Sequence, residues 1–197
     1  MVILSILLKT TNMIKIGIDP SINCTGICVW DTERNTHCYY MIPSKVTKKM
    51  QQFQHNFVKI VPYSKQDTKN LEYSDKERCK FDNIYNIGKI VGIILDTFKP
   101  AQVYMEGVSY GSVGSAALVD LSFLNAVLRY ELKKRELLFT IVSPTSVKKF
   151  ACANGQAEKD IMIDAWKRLD KNIANVNDIK IDDLADSYFL AHYKEGA

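Results

Sequence analysis

Five carboxylates stand where they could do chemistry. Asp19 closes the run MIKIGID (residues 13–19), and Glu106 ends the apolar stretch of AQVYMEG (101–107). Asp182, Asp183 and Asp186 crowd into IDDLADSYFLAHY (181–193). In that last segment Ile181, Leu184, Tyr188 and Ala191 recur at helical spacing, so a helix packed on a core is expected. On such a helix, positions 183 and 186 are neighbours on one face, with Cβ atoms about 5–6 Å apart. Two anions that close repel each other unless a positive charge lies between them. Acids in a first helical turn also gain about 0.3–1 kcal/mol each from the macrodipole. An Asp before Pro20-Ser21 can cap a turn. Capping therefore stands as an alternative for each acid taken singly. Taken together, oxygen-only donors suit a hard cation such as Mg2+ or Mn2+. No His/Cys set at zinc spacing competes for that role.

The elements that must position these acids are visible as periodicities. Residues 13–19, 26–31 and 37–42 read as three strands, close enough in sequence for an antiparallel meander. Residues 101–107 and 137–142 read as short apolar strands, the second stopped by Ser143-Pro144. Before them, 75–98 carries Phe81, Ile84, Ile87, Val91, Ile94 and Leu95 on a helical stripe that Pro100 ends. Further helices are expected over 115–134, 144–152, 157–169 and 181–193. The polar stretch 43–80, with Pro43 and Pro62, reads as a basic insertion with room for one strand at 57–61. The expected fold is α/β, a mixed five-stranded sheet of antiparallel meander plus parallel strands, flanked by helices. Residues at the C-terminal ends of strands line the functional crevice of such sheets, which brings Asp19 and Glu106 to one side.

The chain has 197 residues, 47% hydrophobic and 24% charged, which suits one globular domain over 13–197. Residues 1–12 read as an N-terminal extension, with an apolar run too short for a secretory core or a membrane span. The net charge of +4 is mild, but its distribution is not even. Residues 43–80 hold nine Lys/Arg against four Asp/Glu, and 129–159 hold seven against three. Residues 176–197 hold two against five. Two basic stretches and an acidic cluster suit a phosphate-binding surface around a metal site. Lysines that merely keep a surface soluble would look the same in either stretch alone. The five cysteines show no CxxC, so reduced thiols in an intracellular protein are expected.

Four strings occur in order: IGIDPSINCTG, VYMEG, SPTSVKKFACANGQAEKDIM and DDLADSYFLA. Together they resemble the RuvC-like Holliday junction resolvases of the RNase H superfamily, and the DDLADS form is similar to phage and poxvirus members. The resemblance covers about 13–42 and 95–193. It implies an RNase H-like fold with Asp19, Glu106, Asp183 and Asp186 as catalytic, metal-binding acids. It implies two Mg2+ ions about 3.5–4 Å apart, with Mn2+ able to substitute. It places Lys148, with Lys149 beside it, and Lys159 against DNA phosphates. Tyr110 falls one position after the aromatic wedge of the bacterial members. Asp182 lies one position off the D-x-x-D pattern and is expected to tolerate replacement best. The implied partners are a four-way DNA junction and a second copy of the chain, giving paired symmetric nicks in the cytoplasm or at a viral replication site. Phe123, Leu124, Val127 and Leu128 are the candidate dimer surface, with ordinary core packing as the alternative. The stretch 43–80 lies outside the resemblance.

Competing readings differ in what they require. An actin-like ATPase also opens with a strand, an Asp and a Gly-containing turn, but it needs two such lobes and a second phosphate loop. An exonuclease of the same superfamily would digest linear DNA from its ends. A non-catalytic junction-binding protein would show no metal-dependent cleavage.

Overall fold

The computed structural model describes residues 14–108, 115–176, 179 and 181–194. The extension 1–12 and Tyr110 therefore lie outside the described residues. Three strands form the expected meander: β1 (Ile14–Asp19), β2 (Cys24–Asp31) and β3 (Thr36–Pro43), each antiparallel to the next. The β2–β3 turn is set locally. Asp31 Oδ1 accepts from the backbone N–H of Glu33 and Arg34, at 3.1 and 3.0 Å, and Asn35 takes the left-handed conformation at φ 50°.

Beyond β3 the chain forms a short helix, α1 (Lys48–Gln52), and then β4 (Val58–Ile60), parallel to β3. Next come α2 (Tyr73–Phe98), β5 (Gln102–Glu106), α3 (Ser115–Lys134) and β6 (Phe139–Val142). The chain closes with α4 (Pro144–Cys152), α5 (Lys159–Leu169) and α6 (Asp182–Ala191). Lys99, left-handed at φ 46°, ends α2 just before Pro100. Ser143 caps α4 by accepting from the Ser146 N–H at 3.1 Å.

The strand order is β4-β3-β2-β1-β5-β6, with β1, β5 and β6 parallel. The sheet thus has six strands rather than five. The additional strand comes from the polar stretch 43–80, at the place where the sequence left room for one. From Tyr73 the stretch enters α2, two residues ahead of the helix start at 75 given by the periodicity.

Alternation along the strands divides the core. Ile16, Ile18, Ile27, Val103 and Met105 face α2 and α3, packing with Ile87, Val91, Leu95, Leu124 and Leu128. Cys28, Tyr39, Met41 and Tyr104 face α6 and pack with Trp166, Leu184, Tyr188 and Phe189. This assigns the candidate dimer residues differently from the sequence reading. Leu124 and Leu128 are fully buried, because they lie on the stripe of α3 that meets the sheet. Phe123 is 56% exposed and remains available to a partner. Among the described residues no helix is long and apolar enough to cross a membrane.

The face under α6 holds a polar network at the sheet end away from Asp19. Asp170 Oδ2 accepts from the Tyr39 hydroxyl at 2.6 Å and lies 3.2 Å from His37 Nδ1. Trp166 Nε1–H donates to the Tyr39 hydroxyl at 3.0 Å. His37 Nε2 meets Nε2 of His192, the residue that follows α6, at 3.2 Å. Trp30 stacks on His192 with ring centres 3.9 Å apart. Burial alone would raise the Asp170 carboxyl, but hydrogen bonds from His37, Tyr39 and the Asn172 N–H outweigh it and hold it below its usual range.

Burial pushes His192 down from 6.5 to about 4. An unfolded chain would bind a proton at this imidazole below pH about 6.5, while the folded chain refuses it until pH about 4. Stability is therefore lost as pH falls through that window. The wild-type Tm should drop more steeply between pH 7 and 4.5 than that of His192→Gln; parallel pH profiles would show that this imidazole is not held neutral.

Candidate metal centre

Asp19 is the last residue of β1 and Glu106 the last of the adjacent parallel strand β5. Ile18 registers with Met105, so the two acids leave neighbouring strands at the same level. The third element is α6, which crosses the sheet against β1 and β2. It comes extremely close there. A Cβ built on Gly17 would lie 2.0 Å from the Ser187 carbonyl oxygen, and one on Gly26 would lie 2.2 Å from the Asp183 carbonyl oxygen. Gly26 is itself the Cα partner of Asp19. Two glycines therefore let the backbone carrying Asp183 and Asp186 rest on the strands beside Asp19.

The other three carboxylates all act electrostatically on Asp19. Asp19 is 7% exposed. Its carboxyl is held well above the usual range, first by burial and then by the negative fields of Glu106, Asp186 and Asp183. Glu106 is pushed up to about 7, by burial and by Asp186, although a side-chain hydrogen bond with Asp19 and the charge of Lys148 act against this. Asp186 is pushed up to about 6 by burial and by Asp182, with Lys159 and Lys148 opposing. Burial and mutual charge thus both disfavour the fully ionised cluster. Among the described residues no three donors are already closed into a cage. The set nevertheless fits a hard divalent cation. All its donors are carboxylate oxygens, and a cation would satisfy their ionised forms.

The basic residues divide. Lys148, half-buried on α4, is near enough to favour the ionised forms of Glu106 and Asp186. Lys149 is exposed on the same helix. Lys159, the first residue of α5, forms an ion pair with Asp182, which raises its ammonium above the usual range. Asp182 itself is 4% exposed, the most buried acid of α6. The sequence reading treats it as a marginal member of the triplet, but positions 182, 185 and 189 share a helical stripe, and Ala185 and Phe189 are both buried. That stripe was the available signal.

Cys24 was not singled out as a site residue. It opens β2, and its thiol is pushed far up by burial and by Asp183, with which it hydrogen-bonds. It is thus a close neighbour of the acids at the start of β2.

No protein-family model matches the sequence, and no curated protein matches it. Solved structures do. Thermus thermophilus RuvC aligns with a TM-score of 0.57 at 16% identity, covering 91% of each chain. The T. thermophilus RuvC complex with Holliday junction substrate aligns at 0.58 and 12% identity, covering 91% of this chain and 90% of that one. The yeast mitochondrial Holliday junction resolvase Ydc2 aligns at 0.54 and 14% identity, covering 92% and 76%. The chain has the RuvC-like α/β fold.

Metal-free, the acid cluster should show an inverted pH dependence. The raised Glu106 contributes stability that is complete below about 4.5 and is lost as pH rises through about 7. The metal-free wild type should thus lose Tm relative to Glu106→Gln between pH 4.5 and 8. Millimolar Mg2+ at pH 8 should restore it in the wild type far more than in the variant. Identical profiles for the two proteins, with and without Mg2+, would remove Glu106 from the site.

Proposed function

We propose that this protein is a metal-dependent, structure-selective endonuclease that resolves four-way DNA junctions by paired, symmetric nicks. The observation that carries this reading is that Glu106, Asp183 and Asp186 all act on Asp19, with Asp19 and Glu106 at the C-terminal ends of two central strands of a RuvC-like fold. Asp19 is the central ligand, because it sits on a rigid strand end and feels all three other acids. Glu106 flanks it from the neighbouring strand, and Asp183 and Asp186 face it from α6. Two Mg2+ ions held there, with Mn2+ able to substitute, would supply an activated water for in-line attack on a phosphodiester and stabilise the departing 3′ oxygen.

Around that centre, the chain's own cations receive the DNA. Lys148 acts on both Glu106 and Asp186 and would meet the scissile phosphate. Lys149 lies outward along the same helix, toward the flanking backbone. Lys159 reaches phosphate by exchanging its Asp182 partner for it. Tyr110 is kept as the junction-facing aromatic, on the resemblance alone. The neighbour solved with a Holliday junction substrate supports branched DNA as the partner class. The described cysteines are all free thiols, in keeping with a reducing compartment inside a cell or at a viral replication site.

A four-way junction has two-fold symmetry, and a symmetric dimer can nick two strands of like polarity. The outer face of α2 and α3 is the proposed dimer surface. Phe81, Tyr85, Phe123 and Tyr130 are exposed there at 60, 49, 56 and 64%. Such a concentration of large apolar side chains marks an interaction surface.

Asp19→Asn should bind a synthetic four-way junction in Ca2+ as the wild type does and lose nicking in Mg2+. The wild type should nick the junction at paired positions and leave a flap and a linear duplex largely intact. Degradation from linear ends would instead identify an exonuclease, and junction binding with no metal-dependent cleavage a non-catalytic binder. In sedimentation, Phe123→Glu should convert a wild-type dimer to monomer; an unchanged dimer would move the interface elsewhere.

A further inference from the structure

The segment between β3 and α2 lies outside the RuvC-like motifs, yet it is tied to the turn that carries the metal centre. After Pro43 the chain leaves the sheet and returns as β4, and residues 61–66 then cross toward α2. Val61 N–H donates to the Met41 carbonyl at 2.8 Å, and Tyr63 N–H to the Pro43 carbonyl at 3.3 Å. Gln66 N–H donates to Oδ1 of Asn83, a buried residue of α2, at 3.0 Å. The crossing is thus fastened at both ends. At its middle Tyr63 is 4% exposed, packed into the cluster that contains Ile16, Ile18 and Ile27.

What Tyr63 holds is the four-residue turn Pro20–Asn23 that follows Asp19. Its hydroxyl donates to the Ile22 carbonyl at 2.6 Å. Next to it, the Ser44 N–H donates to the Asn23 carbonyl at 2.9 Å. The opposite side of the turn closes on itself. Thr25 Oγ1–H donates to the Ser21 carbonyl at 2.8 Å, and the same oxygen accepts from the Ser21 N–H at 3.1 Å. The turn is therefore gripped from both sides, internally by Thr25 and externally by Tyr63 and Ser44.

That grip matters because Asp19 is the last residue of β1 and the turn begins at the next residue, so the position of the turn fixes where the carboxylate sits. We infer that Tyr63 is a positioning residue for the metal centre, holding the Asp19 turn through the Ile22 carbonyl. This inference rests on the nuclease reading above. It assigns the segment between β3 and α2 a part in metal binding, although none of its side chains belongs to the acid set. Groups that orient metal ligands from behind typically cost about 10–100-fold in metal affinity or activity when removed.

Tyr63→Phe tests it, because the ring and its burial stay and only the hydroxyl is lost. Without DNA, Mn2+ affinity measured by calorimetry should fall about 10–100-fold relative to wild type. With junction DNA, the Mg2+ concentration for half-maximal nicking should rise and the rate at saturating junction should fall. Junction affinity in Ca2+ gel shifts should stay within about two-fold at saturating Ca2+. A variant with a lowered Tm but wild-type Mn2+ affinity and Mg2+ dependence would overturn the inference, leaving Tyr63 as packing. A wild type that binds Mn2+ but nicks no junction would instead overturn the nuclease reading.

Discussion

Everything at the acid cluster depends on how closely α6 lies on β1 and β2. A helix normally stands off a sheet by the thickness of its side chains, and at that distance Asp183 and Asp186 would not share a space with Asp19 and Glu106. Gly17 and Gly26 remove that thickness under the helix, because neither position can accommodate a Cβ. Glycine inside a strand weakens it by roughly 0.5–1 kcal/mol relative to Ala. The gain is positional, since the two helical carboxylates are brought toward the strand-end acids by backbone contact rather than by long, flexible side chains.

Close approach creates a repulsion that the rest of the fold must contain. Burial and mutual charge raise the proton affinity of Asp19, Glu106 and Asp186 together, so without a cation the cluster destabilises its own ionised state. The helix is held against it at the other end. There His192 meets His37 and stacks on Trp30, while Asp170, Tyr39 and Trp166 complete a hydrogen-bonded network beneath. The strand end is held by the clamp on the Pro20–Asn23 turn. Local disfavour at a functional site, offset by packing elsewhere, is the usual pattern in proteins that bind charge.

The likeness to T. thermophilus RuvC and to Ydc2 lies in the arrangement of strands and helices, at identities of 16% and 14%. At that distance the fold is shared while side-chain roles must be argued locally. Lys159 illustrates this. Its place in the motif suggests a phosphate contact, and its ion pair with buried Asp182 shows that such a contact requires a change of partner.

The sequence by itself determined the features whose physics is local. Helical and alternating periodicity placed α3 and α4 to the residue, and the D-x-x-D spacing put Asp183 and Asp186 on one face. The acids at the ends of β1 and β5 were legible because strand ends are marked by Pro20 and Gly107. The tertiary structure decided what depends on docking between distant segments. Asp182 is buried because α5 delivers Lys159 to it across 23 residues of chain, and Tyr63 reaches the Ile22 carbonyl across 41. The sixth strand formed because the edge of β3 offered Val58–Ile60 a partner, although so short a segment has little periodicity of its own. Periodicity records which face of an element is apolar. It carries no record of which other element will cover that face.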